Sequence, residues 1–420
     1  MYIPYDSIGN IFYKLFRFKF LNNFCYKRKV IQNIKYIEKN YPNVVKKLKK
    51  KFRNNEKLRV IFYVYDETKW KCQSVYDEFN RDERFEVKII ATKTAATNAD
   101  NPSFQTIEDV KRVYSYFQAK GMNVEYGYDT EQNKFIAFKD FAPDIIFYQH
   151  PWYVERSQGP VVCSKFALTA YVPYFFQIEA NKIDYYLRFH QYIEKFYIID
   201  EFIKKQYAPK MENNGKNLVV VGYPLLDTYK VEENKNDLII YAPHWTVGQQ
   251  GVALSTFEWS GKFLLEYAKT SGKQWIFKPH PLLFKALIDN NIFTKEEAQK
   301  YYDEWNSVGL KYEGGDYLEL FAKSSMMITD SSSFLGEYFV TDKPLIHLLS
   351  EKSQFRDSEN PILKAHYRVE NIEELKNILN ELPINDYKKI IRKEMMEQIN
   401  LGTLKTSKKI FDDILKTIHS

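Results

Sequence analysis

The chain has 420 residues, more than one ordinary core absorbs, so two domains are expected. Its 45% hydrophobic and 27% charged residues fit a soluble globular protein, and no stretch approaches the roughly 18 apolar residues of a membrane span. Three scattered cysteines (Cys25, Cys72, Cys163) exclude a disulfide framework and a cysteine metal cluster, and Met1–Asn10 lacks the basic and apolar regions of a signal peptide, so a cytoplasmic setting is expected.

The net charge of +7 is uneven: residues 1–57 carry 15 Lys and Arg against Asp6, Glu38 and Glu56. In "FYKLFRFKFLNNFCYKRKVI" and "VVKKLKKKFR" large apolar residues alternate with basic ones. That pattern predicts a basic amphipathic segment over 1–57 that lies on an anionic membrane surface. The other reading packs its apolar face on the protein itself and leaves the lysines in water. No nucleic-acid motif is present. The 33 tyrosines and 31 phenylalanines resemble a genome-wide bias, so single aromatics carry little functional weight.

After Lys57 the pattern becomes strand, helix, strand. "LRVIFYVYD" predicts a buried strand ending at Asp66, and "FEVKIIAT" a second. "TIEDVKRVYSYFQAKG" predicts a helix with a glycine stop. "PDIIFYQHPW", "AYVPYFF", "EKFYIID" and "NLVVVGYP" supply further strands. The polar run Val231–Leu238 reads as a linker, and the theme then restarts with "LIIYAP", "QWIFKPHP", "MMITD" and "PLIHLLS". Strands alternating with helices predict parallel sheets. The expected architecture is α/β: two Rossmann-like domains, 58–230 and 236–420, after the basic segment. In open sheets of this kind ligands sit beyond the carboxyl ends of the strands.

Three strand ends in the second domain are marked. "ITDSSSFLGEY" places Asp330, Ser331, Ser332 and Ser333 where a strand gives way to a helix. Free N–H groups at a helix start bind anions, and one serine is enough for a cap. Glu337, one turn further on, is placed to accept from ribose hydroxyls. "IFKPHPLL" sets Lys278 and His280 around Pro279; together they offset the charge of a pyrophosphate, and a histidine there can move a proton. "IIYAPHWT" puts Pro243, His244 and Trp245 at the first strand end, with His244 either a phosphate contact or structural. These residues converge on a nucleoside diphosphate. There is no GxxxxGK[ST], no GxGxxG and no HExxH, so a P-loop NTPase, an ordinary NAD site and a catalytic zinc are not expected.

Taken as a set, these stretches resemble the CDP-glycerol glycerophosphotransferase family, the teichoic-acid polymerases and primases. The family's Tyr-Ala-Pro-Thr-Trp element is matched by Tyr241-Ala242-Pro243-His244-Trp245. Its basic-His element is matched by Lys278-Pro279-His280. Its Thr-Asp-Tyr-Ser-Ser element is matched by Thr329-Asp330-Ser331-Ser332-Ser333, with Glu337 at the acid's position. "VVVGYPLLDTY" resembles a Gly-Tyr-Pro-Arg-Asn-Asp element and keeps Asp227. The resemblance implies the two-domain GT-B fold, domains facing across a cleft, and a CDP-activated donor on the second domain, with no tightly bound cofactor. It implies transfer of glycerol phosphate, or a related group, to a hydroxyl of a surface polysaccharide or lipid-linked acceptor at the inner membrane face. The family's His-Gly-Thr-Pro-Leu-Lys element, whose histidine is thought to be the base, is missing; "YVPYFFQIEANK" stands in its place. The candidates for the base are therefore His150, Glu179 and Asp66, with Asp66 also readable as a helix cap. The alternatives are a GT-B glycosyltransferase using a nucleotide-sugar, a nucleotide-sugar epimerase, and a non-catalytic membrane-associated scaffold.

Overall fold

The computed structural model describes residues 16–98, 101, 103–179, 188–229, 237–248, 253–312, 317–353, 355–356, 358–382, 384–399 and 405–419, and of residues 16–26 the backbone alone. Contacts divide the chain into two units. Unit 1 comprises Met1–Phe175, Ala180–Asp227 and Lys405–Ser420; unit 2 comprises Phe176–Glu179 and Thr228–Leu404. Among the helices are α1 (Phe16–Arg53), α2 (Phe257–Thr270), α3 (Ser332–Glu337) and α4 (Thr406–His419).

Unit 1 is built on a sheet of strands β1 (Leu58–Val64), β2 (Phe85–Ala91), β3 (Val124–Tyr126), β4 (Ile145–Tyr148), β5 (Leu168–Tyr171), β6 (Lys195–Ile198) and β7 (Leu218–Val220). They lie in the order β3-β2-β1-β4-β5-β6-β7, all parallel. Helices cover both faces of such a sheet, so its strands read as unbroken apolar runs; six of the seven residues of β1 are buried. Unit 2 repeats the plan with β8 (Leu238–Ala242), β9 (Gln274–Phe277), β10 (Leu310–Lys311), β11 (Met326–Thr329), β12 (Leu345–Leu348) and β13 (Tyr367–Val369). Their order is β10-β9-β8-β11-β12-β13, again parallel. In both sheets the order reverses beside the first strand, so a crevice opens there at the carboxyl ends.

The units differ from the expected division at three points. The chain passes from unit 1 to unit 2 between Asp227 and Thr228; of the linker expected at Val231–Leu238, residues 231–236 lie outside the described residues and Leu238 already belongs to β8. The last helix, expected in the second domain, belongs to unit 1: Ile410, Phe411, Ile414 and Ile418 of α4 enter the same core as β1 and β2. Asp227 explains how it is held. Its carboxylate accepts the N–H groups of Thr406 and Ser407, both at 2.7 Å, and so caps α4 across 179 residues of sequence. Loss of such a cap costs about 1 kcal/mol. Gly222 makes room for the helix start: it has φ +103°, and a Cβ on it would lie 2.6 Å from Thr406 Oγ1. The preserved acid of the "GYPLLD" element thus has a structural task. The third difference is Phe176–Glu179, which joins unit 2. A Cβ on Gly336 would overlap the Phe176 ring, and Asn360 Nδ2 donates to the Ile178 carbonyl.

Helix α1 settles part of the question raised by the basic segment. Val30, Ile34 and Ile37 are buried with Tyr192, and Val44 and Leu48 enter the unit 1 core. Lys47 and Lys51 pair with the buried carboxylate of Asp144 at 3.1 and 2.8 Å. The apolar face of the described part of α1 therefore packs on the protein itself. No helix among the described residues is long and apolar enough to cross a membrane.

Candidate active site

Three strand ends of unit 2 meet. The backbone ladder continues past the strands: Lys278 N–H donates to the Tyr241 carbonyl at 2.8 Å and His280 N–H to the Pro243 carbonyl at 3.0 Å. Thr329 Oγ1 donates to the Ala242 carbonyl at 2.7 Å. Pro243 is thus a backbone tie between two loops, and Pro279 spaces Lys278 from His280.

Asp330 is the hub of this edge. It is fully buried, and its carboxylate accepts from His244 N–H (2.6 Å), Thr256 N–H (2.7 Å) and Thr256 Oγ1 (3.0 Å). It fixes the loop after β8 and the start of α2, and it is enclosed where the sequence had offered it to a ligand. Burial pushes its carboxyl up to about 6, against the pull of those donors.

Both histidines are held as proton donors. Thr246 Oγ1 accepts the N–H groups of Leu254 and Ser255, so its own proton goes to His244 Nδ1, 3.0 Å away. The His280 Nδ1 accepts the Leu282 N–H at 3.2 Å. In each neutral ring the proton then sits on Nε2. The two rings are 5.2 Å apart, centroid to centroid, and Trp245 lies against both. Trp245 also packs on the unit 2 core. Burial holds the His244 imidazole down at about 4. The Lys278 ammonium rests beside the Phe334, Tyr312 and Tyr317 rings at 4.7, 4.9 and 5.3 Å. That contact brings it next to the first turn of α3.

The three serines divide. Ser331 is the N-cap residue of α3, yet its side chain makes no capping bond; its N–H donates to Thr329 Oγ1. Ser332 and Ser333 are half-buried, and neither hydroxyl has a hydrogen-bond partner among the described residues. A helix cap therefore does not account for them. Glu337 is buried, 1% exposed, at the far end of the helix, away from the open position expected of a ribose contact.

Of the three proposed bases, Asp66 is a cap: it accepts from Thr68 N–H at 3.0 Å and pairs with Lys69 at 3.2 Å. Glu179 lies in unit 2, where it accepts from the Ser358 hydroxyl, so it is not a group of the first half at all. His150 is at the carboxyl end of β4 in unit 1, fully buried, with no hydrogen-bond partner for either ring nitrogen among the described residues. Desolvation, with Lys69 and Lys71 adding to it, keeps its imidazole well below the usual range and therefore neutral. Among the described residues no group of three or more His, Cys, Asp or Glu side chains is placed to hold a metal ion. Sequence reasoning placed Thr246 at the first strand end without a task and missed Thr256. Their work is to set a tautomer and to close a hydrogen-bond hub, and no motif marks either task.

Comparison with known proteins bears on this arrangement. The sequence model of the family described as CDP-Glycerol:Poly(glycerophosphate) glycerophosphotransferase matches residues 177–391, just over half of the chain. The minor teichoic acid biosynthesis protein GgaB of Bacillus subtilis (strain 168) is 28% identical over 171 residues, 36% of this chain; the chain spans 17% of that relative's length. Among solved structures, a variant of the wall teichoic acid polymerase TagF soaked with CDPG matches with TM-score 0.56 and 12% identity, over 95% of this chain and 98% of that one. UDP-GlcNAc 2-epimerase from Neisseria meningitidis, bound to UDP-GlcNAc, matches with TM-score 0.50 and 12% identity, over 86% and 100%. At such identity the two structures speak to the GT-B-type fold alone, and the family match is what separates transferase from epimerase. The stretch that matches the family includes all three marked strand ends, and on it the chain belongs to the CDP-glycerol:poly(glycerophosphate) glycerophosphotransferase family.

Proposed function

We propose that the protein transfers glycerol phosphate from CDP-glycerol to an acceptor hydroxyl in the synthesis of a teichoic-acid-like surface polymer. The observation that carries this reading is the set of donors on unit 2: two imidazole Nε2–H groups, the Lys278 ammonium and two uncommitted serine hydroxyls. Such a set suits a diphosphate, and the family match supports CDP-glycerol as the donor. The acceptor oxygen attacks the phosphorus that carries glycerol. The new O–P bond forms as the pyrophosphate P–O bond breaks, and CMP leaves. Lys278, His244 and His280 offset the charge that gathers on the leaving phosphate. His150, neutral and uncommitted, takes the acceptor's proton.

Titration with CDP, UDP, GDP and CDP-glycerol, followed by thermal stability, tests the donor. CDP and CDP-glycerol at about 100 times their dissociation constant stabilise the folded state by about 2.7 kcal/mol. The Ser332→Ala/Ser333→Ala protein loses most of that gain. A response to UDP or GDP instead would point to a nucleotide-sugar transferase.

The protein also works at an anionic membrane surface, in this proposal. Arg28, Lys35, Lys39, Lys46, Lys50 and Arg53 are all exposed, and none makes an ion pair among the described residues. Their spacing places them on one line along α1, about 38 Å long, opposite the buried face. Each basic residue near such a surface contributes about 1 kcal/mol. The protein is expected to sediment with phosphatidylglycerol vesicles and not with phosphatidylcholine ones. Lys35→Glu/Lys39→Glu/Lys46→Glu is expected to stay in the supernatant with both.

A further inference from the structure

Beside His150 in unit 1 lie two tyrosine hydroxyls that have no task in the reaction just described. Tyr63 and Tyr65 lie two residues apart at the end of β1, so both point to the same side of the sheet. Tyr148 of β4 pairs with Tyr63, so His150, two residues beyond it, falls on that side too. The Tyr65 and His150 rings are 4.1 Å apart, and Tyr63 and Tyr65 are 6.0 Å apart. Tyr63, Tyr65 and His150 are at most 2% exposed. Yet the Tyr63 hydroxyl, the Tyr65 hydroxyl and both His150 nitrogens have no hydrogen-bond partner among the described residues.

Four unmet polar atoms in one place are costly. Each buried donor or acceptor left without a partner costs about 1–3 kcal/mol, and native proteins seldom keep one without a use. Phenylalanine at 63 and 65 would fill the same space and remove the cost. The outer wall of the cluster is thinner than its floor. Tyr174 is half-buried, its ring 5.2 Å from His150, and its hydroxyl accepts from Trp152 Nε1. The Lys69 ammonium lies beside both Tyr65 and Tyr174, at 5.4 and 5.5 Å, and is paired with Asp66. Tyr174 and Lys69 are the partly exposed members of this wall, and a ligand would enter past them.

We propose that this cluster is a subsite for an uncharged, hydroxyl-rich group of the acceptor, a polyol or a sugar ring, with the Tyr65 hydroxyl and the His150 ring as its hydrogen-bonding partners. The proposal rests on the transferase reading for the word acceptor. The groups on offer decide the class. Two phenols and a neutral imidazole each give and take hydrogen bonds without charge, which matches hydroxyls. The Lys69 ammonium is paired with the Asp66 carboxylate, and the buried Lys71 ammonium donates to the Thr68 carbonyl. The tyrosine rings about the site, tilted or edge-on to one another, suit the apolar C–H face of a polyol or sugar.

The test follows from the chemistry of the unmet atom. If Tyr65 has only a packing role, Tyr65→Phe removes a buried hydroxyl that bonds to nothing, and its one effect is an equal or higher melting temperature. If the hydroxyl holds the acceptor, the melting temperature behaves in the same way while binding suffers. Glycerol, methyl glucoside and glycerol phosphate are added separately to wild type and Tyr65→Phe, and the His150 ring resonances are followed by NMR. Glycerol or methyl glucoside is expected to shift those resonances, with affinity about tenfold weaker in Tyr65→Phe. No shift in wild type, equal affinity in Tyr65→Phe, or a response to glycerol phosphate alone would overturn the proposal. His150→Ala need not fold for this test to be read. CDP-induced stabilisation is measured on the same two proteins: its absence in both would sink the donor reading, and the polyol result would stand or fall separately.

Discussion

Lys278→Ala is expected to lower the rate of CMP release from CDP-glycerol by about 10²–10³-fold, with the folded state nearly as stable as before. The reasoning begins with where the ammonium sits. Lys278 follows the last residue of β9, and its backbone N–H is tied to Tyr241. Its ammonium rests against three aromatic rings, the nearest 4.7 Å away. Ring faces attract a cation without cancelling its charge, and at a partly exposed site they contribute about 0.5–1 kcal/mol. That is the order of the stability cost of removing it. In the proposed transfer, negative charge would gather on the departing CMP as the pyrophosphate bond breaks, and a positive group fixed beforehand stabilises that state more than the ground state. The loss therefore falls mainly on kcat. Lys278→Arg keeps the charge on a longer, planar group and should recover part of the rate. An unchanged rate in Lys278→Ala would remove the lysine from the leaving-group role.

Asp330→Asn is expected to cost about 3 kcal/mol or more in urea unfolding at neutral pH, because an amide cannot accept all three donors that now converge on the carboxylate. The same change should loosen His244 and weaken CDP binding, since the loop after β8 hangs from Asp330. The pH dependence gives a sharper check. The folded-state value of about 6 lies above the ordinary 3.8. Between those values the folded protein holds the proton more often than the unfolded chain, so this group's contribution to stability falls as pH rises from about 4 to 6. Asp330→Asn has no such slope. Its deficit against wild type should be largest near pH 4, narrow as pH rises to about 6, and stay constant above. His244 acts in the opposite sense: held down at about 4, it stays neutral in the folded protein while the unfolded chain takes up its proton below about 6.5. Its stabilisation is present above 6.5 and is lost as pH falls toward 4. A deficit independent of pH would show that Asp330 is ionised throughout.

Much of this architecture was legible without coordinates. A parallel strand buried on both faces must be an apolar run, and "VIFYV" and "LIIYA" carry that requirement in five residues each. The strand-end grouping of Lys278, His280, His244 and the serines was legible for a related reason. The carboxyl edge of a parallel sheet is where ligands are met, and proline, histidine and serine there interrupt an otherwise apolar pattern. The family's motifs added the donor to that outline.

What the tertiary structure alone decided is which polar groups are already spent. Asp330 and Glu337 read as ligand-facing acids in the sequence, and Asp66 as either a base or a helix cap. Folding turns Asp330 inward as a hub, buries Glu337 and keeps Asp66 as the cap, because Asp330 is satisfied by backbone N–H groups of distant segments that no local pattern reveals. Glu179 passes to the other unit by a crossing of the chain, and α4 returns to unit 1 because Asp227, 179 residues earlier, holds its first N–H groups. The serines show the same division. Sequence determined that three hydroxyls stand at a strand-to-helix junction. Only the packed structure decided that the cap residue makes no side-chain bond and that Ser332 and Ser333 remain uncommitted, since hydrogen-bond commitment is set by distance between elements and not by order along the chain.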